Sequence, residues 1–202
     1  MTTGDATTGN TTFHSVRATQ PALKEWSAAV HALLDGRQTI LLRKGGIHEK
    51  RFDVAASRFL LFPTVAHSHA ERVRPEYRDL LAAAEADSTD DAVVVRAGAR
   101  VIDAIEVNDA QRSKGIADIA PLHIWTAESV RADRLDFRPR HRLTVLVVQV
   151  VPLLQPVRLA RTPDFAGCKS WVELPIEPVW SVPVHGDNVL AGIARRVRAA
   201  VG

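Results

Sequence analysis

Apolar residues recur at spacings of three and four from Leu23 through Trp26, Val30, Leu33 and Leu34. That is the stripe of an amphipathic helix, with Pro21 in its first turn and Asp35-Gly36 as its stop. A second stripe, Tyr77, Leu80, Leu81 and Ala84, predicts a helix over 75–86. A third follows Asp187, with Val189 or Leu190, Ile193 and Val197 turned inward. Between them lie short apolar runs bounded by turn residues, the mark of strands. They are Thr39–Leu42, Phe59–Phe62 ended by Pro63, Ala92–Arg96, Arg100–Val107 and Trp171–Leu174, the last an edge strand. Ala97-Gly98-Ala99 separates two of these runs, and His123–Trp125 is a further short candidate. Leu143–Val151 is apolar almost throughout, which predicts a strand buried on both faces. Thr126 is placed to cap a brief helix with Glu128 in its first turn.

Helical and strand patterns mix without a βαβ rhythm. The expected fold is a single α+β domain over 19–202, with a central mixed, mostly antiparallel sheet or half-barrel. Helices at the N-terminus, in the middle and at the C-terminus flank that sheet. The first 18 residues carry too few apolar groups to offset the entropy of ordering, and a disordered tail is expected there. Thr39–Leu42, the polar stretch after it and Phe59–Phe62 look like a strand, an excursion and a returning strand.

Composition narrows the class of protein. The chain has 202 residues, 46% apolar and 24% charged, enough for one sizeable core. It contains no apolar run long enough to span a membrane, so no membrane partner is expected. The Thr- and Gly-rich start lacks the pattern of a secretory signal, and the single cysteine, Cys168, cannot form an internal disulfide. Both point to the cytoplasm. The net charge of +3 is too small for a strong overall field, although arginines cluster at 138–142 and 195–198.

Candidate chemistry begins at Arg43-Lys44-Gly45-Gly46. Two cations beside two glycines can form a turn whose N–H groups cradle an anion, phosphate above all. The spacing is not that of a P-loop. His48 and Glu49 follow, and His67 and His69 stand at alternate positions beyond Pro63. Glu49 with these imidazoles has zinc-type ligand chemistry, but no second ligand pair accompanies it, and no metal is assigned. Cys168 beside Trp171 reads as a small packed residue, and no serine occupies a nucleophile elbow. The carboxylate patterns of Nudix hydrolases and of the common restriction-nuclease core are both missing.

Several blocks together resemble a family. Ala22–Trp26, Leu41–Ile47 with Glu49, Leu61–Thr64 with His67, His123–Thr126 and Gly167–Trp171 are similar to the "domain of unknown function 1802" family of bacterial proteins. The resemblance implies no defined reaction. It implies a place in nucleic-acid metabolism, since some members are joined to restriction-endonuclease-like domains. The polar residues of the matching blocks are Lys24, Glu25, Arg43, Lys44, Glu49, Thr64, His67 and Lys169. The expectation is that they converge on one pocket. Arg43, Lys44, Gly45, Gly46 and Lys169 would bind an anion there, Glu49 and His67 would act as acid–base groups, and Lys24, Glu25 and Thr64 would complete the wall. The expected function is a phosphate- or nucleic-acid-binding accessory domain beside a restriction or nuclease system. The alternatives are a small hydrolase built on Glu49 and His67, metal-dependent or not, and a structural or protein-interaction module.

Overall fold

The computed structural model describes residues 18–45, 51–65, 68–108, 112–137 and 140–202. The expected tail therefore lies outside the described residues, apart from Ala18.

The first segment departs from its helical spacing. Gln20–Trp26 is a strand, β1, and the helix α1 spans only Ser27–Leu34. The three-residue step from Leu23 to Trp26 arises by chance, because β1 is held on both sides. It pairs in parallel with β3 (Arg58–Thr64) and antiparallel with β6 (Trp171–Leu174). Tertiary pairing overrides a short propensity signal. Pro21 sits near the start of the strand, opposite Glu173.

Strand β2 (Ile40–Lys44) runs two residues further than the apolar run suggests. It pairs with β5 (Leu143–Ala160), which itself continues well past Val151. The two runs flanking Ala97-Gly98-Ala99 form one strand, β4 (Ala92–Glu106), whose ladder with β5 slips between Val95 and Ala97 and again between Val101 and Asp103. Those bulges explain the imperfect alternation there, because each extra residue flips the inward set. The small residues at 97–99 mark a close approach: a Cβ on Gly98 would lie 2.5 Å from the Trp180 ring and 2.7 Å from Phe59 O.

The sheet has six strands in the order β2-β5-β4-β3-β1-β6, mixed and mostly antiparallel, in one α+β domain. β3 runs opposite to β2, as a returning strand does, but β5 and β4 lie between them in the sheet. The sheet curls strongly. Leu23, Leu41, Leu61, Ala99 and Val148, from five different strands, meet in one core cluster with Val30 and Leu33 of α1. Six of the eight α1 residues are buried, because Ala28, Ala29 and Ala32 face a second cluster under the other helices.

The remaining helices are α2 (His69–Arg72), α3 (Leu81–Ala86) after a 3₁₀ turn at Pro75–Leu80, α4 (Arg112–Asp118), α5 (Ala127–Val130) and α6 (Asp187–Val201). Thr126 caps α5 through Oγ1, which accepts from Ser129 N–H at 3.1 Å. A π-helical turn, Arg131–Asp136, continues α5. His123–Trp125 is not a strand of the sheet; Trp125 makes one isolated bridge to Val73. On α6 the inward residues are Leu190, Ala194, Val197 and Val201, whereas Val189 is exposed. Among the described residues no helix is long and apolar enough to cross a membrane.

Candidate anion-binding site

The polar residues of the matching blocks divide between the two faces of the sheet. Successive residues of a strand point to opposite sides, so Lys24 and Glu25 part company on β1. Glu25 turns to the inner face of the curl, where its Oε2 meets Arg43 NH1 at 3.1 Å. Lys24 turns to the outer face, with its ammonium 5.9 Å from the centre of the Phe62 ring.

On the inner face, Glu25 is 3% exposed and also accepts from Trp26 N–H at 2.9 Å. Arg43 donates to Lys24 O at 3.1 Å and lies over the Phe52 ring at 4.9 Å. Thr64 Oγ donates to Glu25 O at 3.0 Å. Arg43 and Lys44 are thus strand residues paired with Thr144 and Leu143, not members of an open turn. The apolar pattern of β2 carries the ladder past Leu42, and a buried carboxylate awaits the guanidinium. Lys44 donates to Phe137 O, and Gly45 O accepts from His141 Nδ1 at 3.4 Å. Gly46, Glu49 and His67 lie outside the described residues.

Two more arginines that carried no sequence signal come close to this pair. The π-helical turn delivers Arg134, whose Nε donates to Leu42 O at 3.1 Å. Burial pushes its pKa below the ordinary guanidinium value, against the attraction of Glu25. Arg72 is paired with Asp133 at 2.7 Å and lies over Trp26 at 5.5 Å. His69 is 3% exposed, edge-on to Trp26 at 4.7 Å, and neither ring nitrogen has a partner among the described residues. Burial, then the Arg72 charge, lowers its pKa to about 4, so the ring is neutral at physiological pH. The space between Trp26, Arg72, Trp125 and Arg134 is only about 10 Å³, room for about one water. Of these groups, Arg43 is paired with Glu25 and Arg72 with Asp133.

The outer face differs. Lys24 Nζ donates to Phe165 O at 2.5 Å and Gly167 O at 3.0 Å. Lys169 Nζ donates to Asp164 O at 3.2 Å. Arg161, at the end of β5, donates to Thr89 O at 2.6 Å and Ser88 Oγ at 2.7 Å. Every one of these acceptors is a neutral oxygen, and none of the three cations meets a carboxylate among the described residues. Their mutual repulsion is felt: burial, then Lys169 and Arg161, lower the pKa of Lys24. Gly167, at φ +80°, takes the left-handed conformation that lets the loop present its carbonyl to Lys24.

Lys24 and Lys169 therefore come together, while Arg43 and Glu25 do not join them. Arg161 was missed because it stands alone at the end of a long strand. The conspicuous arginine clusters are partly paired instead, Arg142 with Glu106 and Arg198 with Asp103. Among the described residues no three His, Cys, Asp or Glu side chains are grouped as metal ligands.

A curled six-stranded mixed sheet packed against helices defines a single-domain α+β protein. A family model described as a domain of unknown function (DUF1802) matches residues 22–196, and the chain belongs to that family. No curated protein and no solved structure matches it.

Proposed function

We propose that the domain binds phosphate-bearing ligands, the nucleic-acid backbone first among them, at Lys24, Arg161 and Lys169. The observation that carries this is the convergence of three cations on neutral oxygens alone. An ammonium has three donors and a guanidinium five, so each side chain keeps N–H groups for an incoming oxygen. A phosphate placed among them offsets the burial, and then the repulsion from Lys169 and Arg161, that lower the Lys24 pKa. An accessory place beside a restriction or nuclease system is the part of the reading that rests on the family alone.

The test is fluorescence anisotropy of labelled single- and double-stranded oligonucleotides across a salt series. Three phosphate contacts predict a slope of log K against log salt of roughly −2 to −3. Undetectable or salt-independent binding would reject the proposal.

A further inference from the structure

A groove of about 590 Å³ lies between α4 and the segment formed by α5 and its π-helical turn. Ile116, Trp125, Val130 and Leu135 give it apolar walls, and Arg74 and His123 line it as well. This size is typical of a small-molecule site.

His123 is 2% exposed. Its Nδ1 accepts from Trp125 N–H at 3.2 Å, so the neutral ring carries its proton on Nε2. That Nε2 has no partner among the described residues. Burial, then the Arg74 charge, lowers the pKa of His123 to about 4, which keeps the neutral tautomer in place. Arg74 donates through NH2 to His123 O and lies over the Tyr77 ring at 4.9 Å. Its Nε is buried without a hydrogen bond; the exposed Glu76 carboxylate stands 3.5 Å away, an ion pair rather than a bond.

Two neighbouring residues thus each hold a buried N–H donor without a hydrogen-bond acceptor among the described residues, in the lining of one groove. Buried polar atoms are almost always satisfied, and two such exceptions side by side call for a ligand oxygen. Asp136, also in the lining, is paired with Arg131 at 3.4 Å, and Arg74 has the exposed, solvent-screened Glu76 carboxylate as its counter-charge. A singly charged oxygen pair suits one guanidinium plus one neutral imidazole, whereas a phosphate dianion would be under-compensated there.

We propose that this groove binds a small monocarboxylate with an apolar body. Its oxygens accept from Arg74 Nε and His123 Nε2, and its hydrocarbon lies against Ile116, Val130 and Leu135. This site is separate from the cationic corner and does not depend on the phosphate reading. Both nitrogens are covered by their neighbours, so uptake is coupled to a shift of the groove wall and is slower than simple encounter.

The experiment titrates the full chain with octanoate, octanamide and butyrate by calorimetry at neutral pH. Saturable binding of octanoate is expected, with octanamide and butyrate each roughly tenfold weaker or worse. Arg74→Met and His123→Phe should each weaken octanoate by roughly tenfold, and Ala117→Trp, which fills the groove without touching either donor, should abolish it. A thermal melt of each variant separates lost binding from lost folding. Octanoate that fails to saturate at millimolar concentration overturns the proposal. So does equal affinity for the amide, or affinity unchanged in folded Arg74→Met or Ala117→Trp.

Discussion

Arg43 reaches Glu25 at 3.1 Å although their strands, β2 and β1, stand four places apart in the sheet order. Only a strongly curled sheet brings those two strands together, and the pair fastens the curl at its mouth. Both side chains are nearly withdrawn from water, at 12% and 4% exposure. Removing one partner from a buried pair leaves an uncompensated charge, whereas removing both does not. Glu25→Leu should therefore lower stability by about 3 kcal/mol, and adding Arg43→Met should restore part of it. Urea unfolding of both single variants and the double variant gives the coupling. Strict additivity would mean that the pair does not hold the curl.

Gly98 admits the Trp180 ring and Phe59 O at distances no Cβ tolerates. Gly98→Ala should cost about 2 kcal/mol or more, as overpacking does. Trp180→Ala in the same chain should recover only part of the loss, because the Phe59 carbonyl belongs to β3 and cannot swing aside. Full recovery in the denaturant midpoint would place the strain in the indole alone.

Acid should weaken the fold before its carboxylates titrate. His69 and His123 are held neutral, with pKa values lowered from 6.5 to about 4, so below the ordinary value the unfolded chain binds protons that the folded chain refuses. Stability is then full above about pH 6.5, falls as the pH drops, and stops falling from this cause near pH 4. The full contribution is on the order of 3 kcal/mol for each ring. His69→Phe should reduce the slope of stability against pH by about 1.4 kcal/mol per pH unit within that window. Asp87, whose pKa is lowered although burial opposes it, through its bonds to His31 and Arg96, acts below the ordinary carboxylate value and does not confuse the window. A flat profile from neutral pH down to 4 would contradict the buried, neutral assignment of these imidazoles.

The chain disclosed its elements better than their arrangement. Leu143–Val151 and Trp171–Leu174 were legible as strands because continuous burial and a short bounded run are local properties. The helix starting at Pro21 was not, since only β3 and β6 make Gln20–Trp26 a strand. The division at Ala97-Gly98-Ala99 failed for a similar reason: small residues mark both a break and a close approach, and Trp180 decides between them. Of the candidate site, strand alternation alone parts Lys24 from Glu25, but it needs β1 to be recognised first. Arg161 joins Lys24 and Lys169 only through the fold, as Arg134 joins Glu25 only through a π-helical turn.

The cationic corner is tested most directly by charge removal at a distance from the core. Arg161→Ala with Lys169→Ala should reduce oligonucleotide affinity by roughly tenfold or more in low salt and flatten the salt slope by about 2, while Arg78→Ala, an exposed cation elsewhere, should change neither. Equal affinity and slope in the double variant and the wild-type chain would contradict the account.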